Sequence, residues 1–136
     1  MRAVPSSIIT PELPQLLPLL LQSIELSDVG VKEATIETLH ITISESADAV
    51  KGHVSSVITR LLSACSASGG NPPRIRTKAL RCLRAFPGAL RGELLLPYKR
   101  QVLKMLQPVL DDPKRAVRKE AVDCRVKWWA LDEPSD

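Results

Sequence analysis

The chain has 136 residues, 44% hydrophobic but only 3% aromatic, with 19 basic and 15 acidic side chains for a net charge of +4. Three widely spaced cysteines, Cys65, Cys82 and Cys124, argue against a disulfide framework and fit reduced thiols of a cytosolic or nuclear protein. No signal peptide is visible, and the longest apolar run, interrupted by Pro18, is far short of the roughly 20 residues needed to span a bilayer.

A core with so few rings must be built from Leu, Ile, Val and Ala, which suits stacked helices, and the length fits one domain of modest size. The charge is unevenly placed. Residues 1–70 hold four basic and seven acidic side chains; residues 71–131 hold fifteen basic and five acidic; residues 132–136 hold three acids. The second half is the cationic end of the molecule.

Residues 1–10 read as a lead-in, and the absence of a polar cap before the first helix is expected of a piece of a longer array. Thr10-Pro11-Glu12 is a helix start, with an N-cap, a proline in the first turn and an acid near the positive helix end. Leu13, Leu16, Leu17, Leu20 and Ile24 form its stripe, and Pro18 predicts a kink. A turn over 25–28 leads to a helix over 29–46 with Val31, Ile36, Leu39 and Ile43 inward. A further helix starts at 46–48 and carries Val50, Val54, Val57, Ile58, Leu61 and Cys65. Residues 66–73, SASGGNPP, read as a flexible linker. A helix is predicted over 74–86, ended by Pro87-Gly88. Another is predicted over 94–110, with Pro97 in its first turn and Val102, Met105, Leu106 and Val109 inward. After the turn Asp111-Asp112-Pro113, the last helix runs over 114–131. Its stripe, Val117, Ala121, Cys124 and Trp128, recurs at i, i+4, i+7 and i+11.

These helices pair into repeats. A β-branched residue followed by a base marks each second helix: Val31-Lys32, Ile75-Arg76 and Val117-Arg118. The spacings are 44 and 42 residues, within the roughly 40–47 of HEAT-type repeats. Four residues on stand Thr35, Ala79 and Ala121, small where helices must approach. Eight residues on stand Leu39, Leu83 and Arg125; the polar third member suits an outer helix with nothing stacked beyond it. The expected architecture is all-α: a HEAT-repeat (armadillo-like) solenoid of antiparallel helix pairs, about three repeats over 11–46, 47–88 and 92–131, forming a single domain.

Arg74, Lys78, Arg81 and Arg84 fall on one line of the fourth helix, and Lys32, Arg76 and Arg118 form a ladder across the three second helices. Together they present a cationic face for an acidic partner surface. The competing reading is a solvated face, partly paired with turn acids such as Asp28 and Asp112. Arg115 and Lys119 extend the cationic surface on the last helix. Trp129 points about 100° away from Trp128, so the two cannot share one core. Trp129 is either an exposed interface anchor or the cap of the last repeat, and Tyr98 is a second candidate anchor. The cysteines continue apolar stripes and have no C-x-x-C pair, and His40 and His53, expected at the surface, are not at zinc-like spacing to them. No phosphate loop, nucleophile elbow or paired histidine supports catalysis or a cofactor. Scarce aromatic interleaving makes direct nucleic-acid binding the weaker reading of the basic face.

The stretch Leu95-Leu96-Pro97-Tyr98-Lys99 and the later run from Leu110-Asp111-Asp112 through Lys114-Arg115, Val117-Arg118-Lys119-Glu120-Ala121-Val122 and Arg125 to Trp128 resembles the extreme C-terminus of the MMS-nineteen family. The close match covers 94–131; the first two repeats agree in layout. Trp129, Pro72-Pro73 and the acidic tail have no counterpart in the pattern. The resemblance implies a non-catalytic HEAT-repeat adaptor of the cytosolic iron–sulfur protein assembly (CIA) targeting complex. Its C-terminal repeats would dock a β-propeller subunit and a small cluster-handling subunit. The complex would serve iron–sulfur apo-proteins, including DNA polymerases, primase and repair helicases, in cytoplasm and nucleus. The family is also tied to nucleotide-excision repair and transcription.

Overall fold

The structure, a computed structural model, describes Gln22 and residues 28–131. The helix expected from Thr10 to Ile24, its kink at Pro18 and the acidic tail lie outside the described residues. Over residues 28–131, five α-helices follow one another: α1 (Val29–Glu45), α2 (Val54–Ala64), α3 (Pro73–Ala89), α4 (Gly92–Leu106) and α5 (Arg115–Trp129), with short 3₁₀ turns at Ala47–His53, Ala67–Gly69 and Pro108–Asp111. No strand occurs among the described residues.

The helices form two layers. In one, α3 lies between α1 and α5 and packs on both; in the other, α2 and α4 lie side by side, α2 against α3 and α4 against α5. This is the small HEAT-like solenoid that the 3.6-residue periodicity and the repeat spacing call for, since no single helix pair buries enough apolar surface alone. Its core is aliphatic: Leu39, Ile43, Val57, Leu61, Ile75, Leu80, Leu83, Leu95, Val102 and Val117 are fully buried, with Phe86 and Trp128 as the rings. The small residues four places after each anchor, Thr35, Ala79 and Ala121, are all buried.

Several local expectations are corrected. Val31 is 38% exposed, whereas its counterparts Ile75 and Val117 are fully buried. Met105 is exposed because Leu95, Val102 and Leu106 take the inward line, and Met105 sits about 100° around from Leu106. Pro97 lies inside α4 rather than in its first turn, and α4 stops before Pro108, which opens a 3₁₀ turn.

Pro87 does not end α3; the helix continues to Ala89. A proline has no N–H to give the carbonyl four residues back, which here is Leu83. That carbonyl instead accepts the indole N–H of Trp128 at 2.9 Å, from α5. The missing intrahelical bond is thus replaced by one between repeats, and the Phe86 and Trp128 rings pack beside it at 6.3 Å.

The expected linker is also more ordered than its composition suggests. A 3₁₀ turn closes at Gly70, whose φ of 83° is in the left-handed region that favours glycine. The chain then delivers Asn71 into the interior. Asn71 donates to the Ala64 carbonyl at 3.1 Å and accepts from Lys32 Nζ at 2.7 Å.

Candidate partner-docking surface

Two of the ladder residues, Lys32 and Arg76, hold the repeats together. Lys32 reaches from α1 to Asn71 in the next turn. Arg76 reaches from α3 to the following turn, where Nε and Nη2 donate to Asp112 Oδ2 and Oδ1 at 2.8 and 2.9 Å; its Nη1 donates to the Asn71 carbonyl. Asn71-Pro72 and Asp112-Pro113 are therefore equivalent turns, each receiving a base from the repeat before it. The Asp112 side chain also accepts from the Lys114 amide at 2.8 Å, and its carbonyl accepts from Arg118. Burial opposes the charge on Asp112, yet the Arg76 fork, the Lys114 amide and the two guanidiniums outweigh it and hold its carboxyl below the usual aspartate range. Arg76 is 7% exposed, so it cannot meet a partner directly; Arg118 is half-buried over its own turn.

The basic stripe of α3 is stitched to both neighbours. Arg74 pairs with Glu33 at 3.1 Å, and Lys78 pairs with Glu33 and Glu37, all toward α1. Toward α5, Arg81 and Arg84 meet Glu120 at 3.0 and 3.4 Å, and Arg84 meets Asp123 at 3.6 Å. Hydrogen bonding from Arg74, and then from Lys78, holds the Glu33 carboxyl low; the bond to Glu37 raises the Lys78 ammonium. Each of these four cations thus has a carboxylate partner on a neighbouring helix, rather than one of the turn acids. The paired acids are on other helices, so a scan of α3 alone does not find them. His40, expected at the surface, is half-buried, and its pKa is lowered by burial and by Arg84 and Arg81.

A different surface lies on α5. On α5 the face away from the core carries Arg115 and Lys119 in its first half, then Val122, Val126 and Trp129, which are 50%, 59% and 61% exposed. The spacing i, i+4, i+7 makes the last three one exposed apolar stripe. Among the described residues Lys119 pairs only with the local Asp123, at 3.6 Å. Trp129 lies under Lys99 Nζ at 5.4 Å and the Arg125 guanidinium at 5.5 Å, within cation–π range. Lys99 Nζ also donates to the Leu131 carbonyl at 2.7 Å, which fixes the end of α5 on α4. Between the two helices runs a groove of about 570 Å³ lined by Leu96, Lys99, Arg100, Leu103, Lys104, Gln107 and Trp129. Tyr98 is not part of it; its ring is half-buried against the core. Of the sequence-derived candidates, the structure gathers Arg115, Lys119 and Trp129 here. Arg100, Lys104, Val122 and Val126 join them. The sequence signal for the two valines was present, an apolar line opposite the core stripe of the same helix.

The sequence family described as "RNAPII transcription regulator C-terminal" (MMS19_C) matches residues 1–87. The chain belongs to the MMS19 family. It is 37% identical over 134 residues to the MMS19 nucleotide excision repair protein homolog of Xenopus tropicalis, covering 98% of this chain and 13% of that protein. It is 38% identical over 126 residues to the DNA repair/transcription protein mms19 of Schizosaccharomyces pombe, covering 93% of this chain and 12% of that one. The human MMS19 nucleotide excision repair protein homolog is 37% identical over 131 residues, 96% of this chain and 12% of its own length. The chain therefore spans about an eighth of the relatives it matches. The family match falls on the first two repeats, while the residues that carried the resemblance in the sequence lie at 94–131; the relatives cover both. In this MMS19-family chain the latter residues divide by role. Asp112, Val117, Glu120, Ala121 and Trp128 tie α5 to the stack, Arg118 closes its own turn, and Arg115, Lys119 and Val122 face outward. Among the described residues no helix is long and apolar enough to cross a membrane.

Proposed function

We propose that the chain is a protein-docking module of an MMS19-family adaptor that delivers iron–sulfur clusters to cytosolic and nuclear apo-proteins, including DNA replication and repair enzymes. One observation carries the reading. The cations of α3 are countered inside the stack, whereas the outer face of α5 keeps cations and apolar side chains together with no described element stacked on them. An exposed face that combines apolar and cationic side chains in this way marks a partner surface. The partners implied by the family resemblance are the β-propeller and small cluster-handling subunits of the CIA targeting complex. The cluster is cargo in this reading, and the chain itself carries no catalysis and no resident cofactor.

Nucleic acid is the competing partner, because the relatives are named for repair and transcription. It is the weaker reading here: binding to phosphates draws on uncommitted cations, and the longest basic line of this chain is already paired with carboxylates.

Purified propeller and small subunits should be captured by the chain, with or without nuclease. Capture should be lost in the Arg115→Glu/Lys119→Glu variant, which leaves the inter-repeat pairs intact. Tight binding of plain DNA near 0.15 M salt, with no capture of the subunits, would overturn the reading.

A further inference from the structure

The groove between α4 and the end of α5 has a definite chemistry. Leu96, Leu103 and the Trp129 indole supply apolar lining, while Lys99, Arg100 and Lys104 supply cationic lining, and no carboxylate lines it among the described residues. Its volume, about 570 Å³, is that of a site holding a few side chains. Arg100 and Lys104 are exposed and have no ion pair among the described residues. Beside the groove, Arg125 stacks on Trp129 while its Nε is buried with no hydrogen-bond acceptor among the described residues. Four cations thus gather about one exposed indole, and one of them lacks an acceptor that burial normally demands.

Resting on the docking reading above, we propose that this groove receives an acidic segment of a partner protein, with an apolar side chain set against Trp129 and carboxylates on Arg100, Lys104 and Arg125. Each part of the occupant answers a feature of the lining. Arg100 and Lys104, which have no ion pair among the described residues, repel each other, and carboxylates relieve that repulsion as they bind. The aliphatic walls and the indole offer an apolar seat at low entropic cost, the usual place for an interface anchor. A nucleic-acid strand fits less well, because successive bases need successive aromatic platforms and Trp129 is the one aromatic lining the groove.

The test uses the 136-residue chain and a short fluorescein-labelled peptide with acidic residues on both sides of a Leu-Phe pair. Binding is read by anisotropy and by protection of the exposed indole from iodide quenching. The expected result is saturable binding with reduced quenching. It should fall about tenfold or more when the acids are replaced by their amides, and similarly when Leu-Phe is replaced by serines. Trp129→Ala and, separately, Arg100→Glu/Lys104→Glu should each weaken it about tenfold; these positions are exposed, so helical circular dichroism should be unchanged. Four results would overturn the proposal: no saturable binding, equal binding of polyglutamate or a single-stranded oligonucleotide, indifference to both variants, or binding that appears only when residues 132–136 are deleted. The last would mean that the chain's own acidic residues occupy the groove. If the targeting-complex subunits are captured while the peptide fails to bind, the docking reading stands and this proposal falls.

Discussion

Asp112 shows how one side chain can fix the relation between two repeats. Its two oxygens take the Arg76 fork and the Lys114 amide, and its side chain is fully buried beside an Arg76 side chain that is 8% exposed. Replacing it with alanine leaves a buried guanidinium without its partner, so Asp112→Ala should cost about 3–5 kcal/mol in urea unfolding. The pH dependence follows from the direction of the shift. The folded carboxyl titrates below its unfolded value of 3.8, so its contribution is full above pH 3.8 and is lost as pH falls through the lower, folded value. Acid titration of stability should be shallower in Asp112→Asn than in the parent below pH 4. Equal slopes would show that the clasp does not carry the acid sensitivity.

Between elements, the replacement of a helix bond by a bond from another helix makes a sharp prediction. Trp128→Phe leaves the Leu83 carbonyl unbonded inside the core and should cost about 1–3 kcal/mol, in addition to any packing loss. In a Pro87→Ala background the restored amide supplies that carbonyl from within α3. Trp128→Phe should then cost measurably less; a double-mutant cycle with no coupling would remove the argument. The α3 stripe behaves similarly. Reversing Arg81 and Arg84 to glutamate places them against Glu120, which is 8% exposed and already carries an oxygen without a hydrogen bond. The expected result is a loss of about 1–3 kcal/mol of stability. A charge reversal there that weakened partner binding would therefore have to be separated from loosening of the α3–α5 contact.

For the whole molecule, the buried thiols report on global opening. Cys65, Cys82 and Cys124 each sit inside the core, and burial pushes the Cys65 thiol up to about 12 and raises the other two. Thiolate, the reactive form, is therefore scarce in the folded chain. A disulfide reagent should label all three slowly and at a common rate set by unfolding, with prompt labelling after denaturation. Rapid labelling of one cysteine alone in native buffer would reveal a repeat that opens independently, as quasi-one-dimensional stacks permit.

Much of this protein was fixed by local patterns. Val117, Ala121, Cys124 and Trp128 share one line of a helix whatever lies opposite, and the 44- and 42-residue spacings align three anchors before any contact is known. The aliphatic core, the two-layer stack and the inward stripes follow, because burying such lines is the largest favourable term available to the chain. What tertiary structure alone decided is the fate of the polar groups. Asn71 reads as linker until Lys32 and Ala64 meet it; Pro87 reads as a stop until Trp128 supplies the Leu83 carbonyl; Arg74 to Arg84 read as an open cationic line until Glu33, Glu37, Glu120 and Asp123 arrive from other helices. Apart from Ala64, seven residues from Asn71, each of those partners is about 40 residues away in sequence, one repeat along. Hydrophobic periodicity is a property of a single helix and is written locally. The pairing of a charge or a carbonyl depends on which helix the stack places beside it.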